Sequence, residues 1–249
     1  MEKLIDLRVR DKVFIAAHRG SSGTMPENTI AAFELAIADG VDMIETDIQS
    51  TADGIIITYH DLYFDNGEDI INIQETNYSN LPYIKYGNVG INPMQPPLIK
   101  DVFKIIKNKV YMIIEIKEIN NRDFREVINE LINIAKVSDV AGQILLSSFY
   151  PEYISYAKSI ASDIPTAAIK VPFKDKMPSE LSKLTNCEAF ICSVDELNDK
   201  LMMDAKKHNI FIGVYSVDDK ETLNLALKYK VNAVATNFPK KIVELLRNI

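Results

Sequence analysis

The segment Val110–Lys117 has the sequence VYMIIEIK, which is apolar apart from Glu115 and Lys117. An apolar run of this length is typical of a strand that is buried on both faces, as in a parallel sheet. Similar runs, rich in β-branched residues, occur on both sides of it. The sequence therefore predicts eight strands, at Val13–Ala17, Val41–Asp47, Val110–Lys117, Gln143–Phe149, Thr166–Val171, Ala189–Val194, Phe211–Ser216 and Ala233–Asn237.

Segments with the apolar periodicity of helices separate these strands. They are predicted at Asn28–Asp39, Ile99–Lys107, Arg122–Lys136, Pro151–Ser162, Ser179–Leu184, Glu196–Lys207, Asp219–Tyr229 and Lys240–Arg247. Strand and helix alternate eight times, which favours an α/β fold of the (β/α)8 TIM-barrel type, with residues 1–249 in one domain. The alternative is a doubly wound open sheet, because periodicity alone does not show closure. No Gly-x-Gly-x-x-Gly follows the first strand, which counts against the dinucleotide-binding form of that sheet.

The composition is ordinary for a globular protein, with 47% hydrophobic and 25% charged residues. The formal net charge of −7 argues against a nucleic-acid partner, whose phosphates favour a basic surface. The chain has two cysteines, Cys187 and Cys192, so we expect a reducing compartment and no disulfide framework. No run approaches the roughly 18 apolar residues of a membrane span. Met1–Lys12 lacks the apolar core of a signal peptide, and the expected location is the cytoplasm.

Residues 61–97 interrupt the alternation of strands and helices. This stretch contains Asn, Gly, Pro and the aromatic residues Tyr63, Phe64, Tyr78, Tyr83 and Tyr86. An irregular connection of this length is uncommon in a compact domain unless it is functional or disordered. We expect a small insertion, after the second strand and its hairpin, that forms an ordered cap at the barrel mouth.

Charged and polar residues stand where the first three strands end, and in a barrel of this type the active site lies at these C-terminal ends. The three segments are His18-Arg19-Gly20, Glu45-Thr46-Asp47 and Glu115-Ile116-Lys117. Because side chains alternate between the faces of a strand, Glu45 and Asp47 share one face, as do Glu115 and Lys117. Three converging carboxylates repel one another without a cation, and their hard oxygens suit Mg²⁺ or Ca²⁺. Glu45, Asp47 and Glu115 are therefore predicted metal ligands.

The position of His60 follows from a predicted hairpin. Asp53-Gly54 is a strong signal for a two-residue turn, which pairs residue 52 with residue 55 and Asp47 with His60. His60 is thus expected to return to the barrel mouth beside Asp47, although it belongs to no barrel strand.

The chain has three histidines. A single histidine is more often a surface or core residue than a functional one. His18 and His60, however, both fall at the predicted mouth, with three carboxylates, an arginine and a lysine nearby. His208 ends a helix and is interpreted as structural. Asn28 precedes the first helix and is interpreted as its N-cap.

Five short motifs in order resemble the glycerophosphodiester phosphodiesterase family, which is related to the phosphatidylinositol-specific phospholipase C barrels. They are His18-Arg19-Gly20, Pro26-Glu27-Asn28-Thr29, Glu45-Thr46-Asp47, His60-Asp61 and Glu115-Ile116-Lys117. Ser148-Phe149 ends the fourth strand, as is common in these enzymes, and the insertion falls where that family has its small extra domain. Each motif alone is weak, but their order and spacing are specific and extend over nearly the whole chain.

The resemblance implies that His18 and His60 form a general acid–base pair and that Glu45, Asp47 and Glu115 bind a divalent metal. It also implies that Arg19 and Lys117 hold the phosphate. Glu27 either orients Arg19 or touches the metal. The predicted substrate pocket further includes Tyr63, Phe64, Phe149 and Tyr215.

The chain departs from the family pattern in three places. Leu62 is followed by Tyr63-Phe64-Asp65-Asn66 in place of a Leu-x-Arg-Thr-Thr-like run. Tyr215-Ser216-Val217-Asp218 replaces Trp-Thr-Val-Asn, and Thr236-Asn237-Phe238-Pro239 replaces a Thr-Asp-x-x-Pro-like segment. We expect these changes to alter the pocket wall and to leave the metal and acid–base groups unchanged.

The expected activity is hydrolysis of a small-molecule glycerophosphodiester to glycerol 3-phosphate and an alcohol. The substrate carries a hydroxyl beside the phosphate ester, which favours attack by that hydroxyl and a cyclic phosphate; attack by water is the alternative. Two other functions remain open at this point. One is a lysophospholipase D or a phospholipase C-like lipid phosphodiesterase, and the other is a non-catalytic sugar-phosphate binding protein.

Overall fold

The structure, a computed structural model, describes residues 3–4, 12–65, 70–84, 93–172 and 174–247. Tyr86 and most of Met1–Lys12 lie outside the described residues. Among the described residues, no helix combines the length and the apolar character that a membrane span requires.

Eight parallel strands close into a barrel, which confirms the predicted fold. They are β1 (Phe14–Ala17), β2 (Met43–Ser50), β6 (Tyr111–Ile116), β7 (Ile144–Ser148), β8 (Thr166–Ile169), β9 (Ala189–Ser193), β10 (Phe211–Tyr215) and β11 (Ala233–Thr236). Each strand pairs with the next, and β1 pairs with both β2 and β11, which closes the ring. Three shorter strands complete the set: β3 (Ile56–Thr58), β4 (Tyr63–Asp65) and β5 (Ile70–Asn72).

The helices surround the barrel, and the main hydrophobic core lies between them and the strands. They are α1 (Ile30–Asp39), α2 (Ile99–Ile106), α3 (Phe124–Val137), α4 (Pro151–Ile160), α5 (Pro178–Thr185), α6 (Asp199–His208), α7 (Lys220–Lys228) and α8 (Pro239–Arg247). All agree with the predicted helices to within three residues. Cys187 and Cys192 are buried free thiols.

A smaller cluster occupies the barrel interior, where Ala16, Met43, Tyr111 and Ile113 contact one another. The next residues along β1, β2 and β6, including Ile44, belong instead to the core outside the barrel. This alternation of faces continues to the strand ends. On these strands, the residues at every second position after the interior cluster therefore point into the barrel mouth.

The hairpin of β2 and β3 has a register that differs from the predicted one. Ile48 pairs with Thr58, and the Tyr59 N–H donates to the Asp47 carbonyl at 3.1 Å. The predicted two-residue turn is therefore wrong by one residue, because residues 52–54 form a three-residue loop. The loop ends at Gly54 with φ +81°, the left-handed position that glycine favours in such loops. His60 lies two residues beyond the end of β3, so the alternation of side chains along that strand does not set the direction of its side chain.

The insertion packs on the hairpin in a small separate core, in which Ile57 of β3 contacts Phe64, Ile73 and Leu81. Within the described part of the chain, strands β4 and β5 pair with each other and with no barrel strand. The buried side chain of Gln74 anchors the insertion, since its Nε2 donates to Gln49 Oε1 at 3.0 Å and to the Glu118 carbonyl at 2.6 Å. The role of this insertion as a cap stays a prediction.

Candidate active site

Three carboxylates meet at the C-terminal end of the barrel. Glu45 and Asp47 follow Met43 on the interior face of β2, and Asp47 lies directly opposite Glu115 of β6 in the parallel register. One carboxylate oxygen from each of the three side chains lies within 4.8 Å of the others. Glu45 and Asp47 are 7% and 1% exposed, so water screens their mutual repulsion only weakly.

The environment of the carboxylates separates their pKa values. Burial and the charges of Asp47 and Glu115 raise the pKa of Glu45 well above its usual value. Burial and the charge of Asp47 also raise the pKa of Glu115. Burial acts in the same direction on Asp47, but the positive charges of Lys117 and Arg19 outweigh it and lower the pKa of Asp47. Asp47 is therefore the carboxylate that stays ionised most readily.

Two cations contact this cluster. Lys117 Nζ lies 2.5 Å from Glu115 Oε1 and 2.9 Å from Asp47 Oδ1. Arg19 Nε lies 3.1 Å from Asp47 Oδ2, while Arg19 Nη1 donates to both oxygens of Glu27 at 3.0 Å. Glu27 therefore orients Arg19. Lys117 and Arg19 thus compensate part of the negative charge of the cluster.

Asn28 has a role that the sequence did not predict. The N-cap of α1 is Thr29, whose side chain accepts the Ala32 N–H, so the assignment of Asn28 as the cap is wrong. Asn28 has φ +56°, and its Nδ2 donates to Asp47 Oδ2 at 2.9 Å. Its Oδ1 accepts from Thr46 Oγ1 at 2.7 Å and from the Asp47 N–H at 3.2 Å. The left-handed backbone turns this side chain toward the strand end, a local conformation that asparagine tolerates.

His18 follows β1 and presents its two ring nitrogens to different partners. Nδ1 lies 2.8 Å from Asn237 Oδ1, and Nε2 lies 4.0 Å from Glu45 Oε2. Burial and the nearby charge of Arg19 lower the pKa of His18, although the hydrogen bond to Asn237 opposes them. The expectation that Thr236-Asn237 alters only the pocket wall is therefore wrong, because Asn237 contacts an acid–base candidate directly.

His60 follows the hairpin of β2 and β3. Its Nδ1 lies 2.7 Å from Asp61 Oδ1, and its backbone carbonyl accepts from Gln49 Nε2 at 3.2 Å. His208 lies at the end of α6, where its Nδ1 contacts the Asp204 carbonyl at 2.9 Å.

A cavity of about 240 Å³ joins most of these groups. Its charged and polar walls are His18, Arg19, Glu45, His60, Glu115, Lys117 and Ser147. Phe149 and Tyr215, both predicted pocket residues, also line it. Burial is the main cause that raises the pKa of Tyr215 to about 12, so this phenol stays protonated at neutral pH.

The prediction that Phe64 lines the pocket is wrong. Phe64 is 1% exposed and stacks on Tyr59, which follows β3, with ring centroids 5.4 Å apart. Tyr63, its neighbour on β4, is 52% exposed and lies outside the wall of the cavity. Strand alternation separates the two side chains, and the stacking partner of Phe64 could not be foreseen from the sequence.

A second cavity of about 460 Å³ adjoins the first. The two share His60, Glu115, Lys117 and Phe149. Its remaining walls are Gln49, Asp61, Leu62, Glu118, Tyr150 and Val171. The shared residues thus lie between two spaces, one inside the barrel mouth and one beside it.

The chain is similar to known proteins over nearly its whole length. The sequence pattern of the Glycerophosphoryl diester phosphodiesterase family matches residues 18–241, which include every charged and polar residue that lines the first cavity. The chain belongs to this family. The predicted enzyme class, a glycerophosphodiester phosphodiesterase, is confirmed. Membership in this family of enzymes also counts against the alternative of a non-catalytic sugar-phosphate binding protein.

Individual relatives cover nearly the whole chain. A glycerophosphodiester phosphodiesterase of Caldanaerobacter subterraneus subsp. tengcongensis is 29% identical, over 95% of this chain and 98% of the relative. The fold is similar to a glycerophosphodiester phosphodiesterase of Agrobacterium tumefaciens, with a TM-score of 0.79 at 20% identity over 94% of this chain and 100% of that one. It is also similar to a phosphodiesterase of Oleispira antarctica in complex with the product sn-glycerol-3-phosphate, with a TM-score of 0.84 at 22% identity over 94% and 96% of the two chains.

Proposed function

We propose that this protein hydrolyses glycerophosphodiesters to glycerol 3-phosphate and an alcohol, with His18 and His60 as its acid–base pair. The observation that carries the proposal is the wall of the first cavity. It holds both histidines, two of the carboxylates and two cations within one space. The related structure that contains sn-glycerol-3-phosphate supports the identity of the product.

Glu45, Asp47 and Glu115 are the residues that would hold a divalent metal. They fit such an ion because their oxygens converge within 4.8 Å and two of the three side chains are buried. Oxygen ligands of this kind suit Mg²⁺ or Ca²⁺. When bound, the ion would polarise the phosphate and compensate the charge of the three carboxylates.

Arg19 and Lys117 hold the phosphate in this proposal. Both are anchored, Arg19 by Glu27 and Asp47 and Lys117 by Asp47 and Glu115. Arginine offers a planar fork to two phosphate oxygens, whereas lysine acts as a point charge. Three carboxylates, a divalent cation and these two side chains together carry one net positive charge. That charge matches a phosphodiester monoanion despite the acidic protein around it.

The histidines move the protons. Each has its Nδ1 beside an oxygen atom, Asn237 Oδ1 for His18 and Asp61 Oδ1 for His60, which leaves Nε2 as the atom that meets the substrate. One neutral imidazole takes the proton of the attacking hydroxyl, and the other, protonated, gives its proton to the leaving alkoxide. The attacking hydroxyl is the one next to the phosphate ester, so phosphorus forms a ring and releases the alcohol. Water then opens the cyclic phosphate to glycerol 3-phosphate.

The test is a turnover assay with glycerophosphocholine, glycerophosphoethanolamine and glycerophosphoglycerol, in which glycerol 3-phosphate is detected with a coupled dehydrogenase. We expect release that depends on added Mg²⁺ or Ca²⁺ and disappears in excess chelator. Full activity in a thoroughly chelated sample contradicts the metal role, and absence of release from all three substrates contradicts the proposal. Lysophosphatidylcholine, assayed in parallel, separates a lipid phosphodiesterase from the proposed enzyme.

A further inference from the structure

A chain of hydrogen bonds extends from His18 away from the cavity. Asn237 Oδ1 lies 2.8 Å from His18 Nδ1, and Asn237 Nδ2 donates to Asp218 Oδ2 at 2.6 Å. The other oxygen of Asp218 accepts from the Asn237 N–H at 2.7 Å and from Thr236 Oγ1 at 2.9 Å. Asp218 follows β10 and Asn237 follows β11. Neither residue lines the first cavity.

The carboxylate of Asp218 determines which way the amide of Asn237 points. An ionised carboxylate has only acceptors, so the amide atom that faces it must be the NH₂ group. The amide oxygen therefore faces His18 Nδ1. An amide oxygen only accepts, which requires a proton on Nδ1. The tautomer of neutral His18 with its proton on Nε2 is incompatible with this arrangement.

We infer that Asn237, oriented by Asp218, is a positioning residue that holds His18 in the Nδ1–H tautomer and leaves Nε2 to exchange protons with the substrate. The inference rests on the proposed function for its catalytic meaning, but the tautomer itself is a property of the free protein. It also explains how the neutral amide of Asn237 can accept a hydrogen bond from His18 Nδ1. The family pattern has an aspartate in this segment.

The substitution Asp218→Asn should invert this arrangement. The oxygen of the new amide must stay toward the Asn237 N–H, because that backbone donor cannot rotate. Its NH₂ group then faces Asn237, which has to flip and present its own NH₂ group to His18 Nδ1. Ser22 is compatible with either state, since its hydroxyl can donate to Asn237 Oδ1 at 2.9 Å, or donate to the His18 carbonyl at 2.7 Å and accept from the flipped amide. The preferred tautomer of His18 should therefore change to Nε2–H.

The decisive measurement is the two-bond ¹H–¹⁵N correlation spectrum of the imidazole rings in the metal-free protein. It is recorded about two pH units above the ordinary histidine pKa, so that the His18 ring, whose pKa is lowered by burial, is neutral. With three histidines in the chain, His18 is assigned by comparison with His18→Gln. We expect a protonated Nδ1 in the wild type and a protonated Nε2 in Asp218→Asn. Wild-type His18 protonated on Nε2, or an unchanged tautomer in Asp218→Asn, overturns the inference.

A reciprocal substitution supplies the rescue. In the double variant Asp218→Asn with Asn237→Asp, the new amide at position 218 donates to the new carboxylate at position 237, which again accepts from Nδ1. We expect the Nδ1–H tautomer to return. Asp218→Asn alone should lower kcat by about 10²-fold or more with little change in KM, as expected when a base is held in the wrong tautomer. The double variant should recover most of that loss, and failure to restore the tautomer contradicts the mechanism.

Two further variants separate positioning from stability. Thr236→Val removes one donor to Asp218 without reversing the amide, so it should lower the unfolding temperature and leave the Nδ1–H tautomer in place. Asn237→Ala removes the acceptor, and His18 should then show both tautomers even if Asp218→Asn does not fold. An inactive wild type with the expected tautomers refutes the proposed function alone, whereas an active wild type with the wrong tautomer refutes this inference alone.

Discussion

The side chain of Asn28 holds Asp47 at two points. Its Nδ2 donates to Asp47 Oδ2 at 2.9 Å, and its Oδ1 accepts the Asp47 N–H at 3.2 Å. Asn28 thereby fixes the rotation of a carboxylate that belongs to the proposed metal site. Groups that orient metal ligands typically contribute 10- to 100-fold, roughly, to metal affinity.

Removal of the Asn28 side chain should therefore weaken metal binding. Glycine suits the left-handed backbone at φ +56°, so Asn28→Gly tests the side chain without added strain. We expect the Kd for Mg²⁺, measured by calorimetry, to rise by roughly 10- to 100-fold, and activity to recover in part at high metal concentration. Asn108→Gly is the matched control, because Asn108 has φ +59°, is exposed and follows α2. An unchanged Kd in Asn28→Gly contradicts this role.

Substitution of the three histidines should affect kcat differently. His18→Ala and His60→Ala should each lower kcat by about 10²-fold or more, the usual range for acid–base groups. His208→Ala should have wild-type kcat, because His208 lies at the end of α6 outside both cavities. Steady-state assays at saturating substrate and metal give the comparison, and circular dichroism checks the fold. Wild-type kcat in His60→Ala refutes its catalytic role.

Glu45→Gln should stabilise the metal-free protein at neutral pH. The pKa of Glu45 is raised in the folded state, so the unfolded chain ionises first as the pH rises and the folded state loses stability above the ordinary carboxyl pKa of about 4.3. Glutamine removes this loss and keeps an oxygen for the Arg19 N–H, which Glu45 accepts at 2.8 Å. A gain of about 1 kcal/mol corresponds to roughly 2–4 °C in Tm for a chain of this size.

The order of stability of the wild type and Glu45→Gln should reverse when metal is present. The wild type gains stability from bound Mg²⁺ or Ca²⁺, whereas the variant gains less because a neutral amide replaces a charged ligand. Thermal unfolding of both proteins, in chelator and in excess metal and at acidic and neutral pH, gives the comparison. At acidic pH in chelator the two Tm values should converge. A variant that is less stable than the wild type in chelator at neutral pH shows that the carboxylate cluster is already compensated.

The nucleophile can be identified with a modified substrate. An intramolecular hydroxyl reacts as though present at about 10⁵ M or above when it is well oriented. A glycerophosphodiester whose neighbouring hydroxyl is replaced by hydrogen or methylated should bind, as shown by competitive inhibition, but turn over very slowly. Hydrolysis of the deoxy analogue at a rate close to that of the parent substrate identifies water as the nucleophile instead.

The second cavity should determine preference among alcohols. It is separate from the interior cavity but shares the proposed catalytic His60 and phosphate ligand Lys117 with it, so the leaving alcohol is expected there. Tyr150→Ala should change the ratio of kcat/KM between choline, ethanolamine and glycerol diesters, because Tyr150 lines only this second cavity. Tyr63→Ala, on an exposed residue of the insertion, is the control. Equal ratios in Tyr150→Ala and the wild type count against this placement.

Local patterns in the sequence were sufficient for the barrel strands, for the helices and for most of the proposed site. The strands are continuous apolar runs, and the position of Glu45, Asp47 and Glu115 at strand ends follows from alternation along a buried strand. The family motifs named His18, His60, Arg19 and Lys117 as functional candidates. These features depend on residues close together in the chain, so a single sequence contains the information.

The hairpin and the first helix show where local patterns become ambiguous. Asp53-Gly54 is compatible with turns of two and of three residues, and the observed register places Tyr59 rather than His60 opposite Asp47. Asn28 and Thr29 are both good N-caps by residue type. Thr29 caps α1, because the left-handed backbone at Asn28 directs that side chain to the end of β2 instead.

Only the tertiary structure brought Asn237 and Asp218 to His18. The contact between His18 and Asn237 spans 219 residues along the chain, and it exists because β11 pairs with β1 to close the barrel. Closure depends on the stagger accumulated over all eight strands, which no short stretch of sequence specifies. The sequence by itself determined which residue types stand at each strand end, whereas the closed ring decided which strand ends meet and hence which side chain positions each histidine.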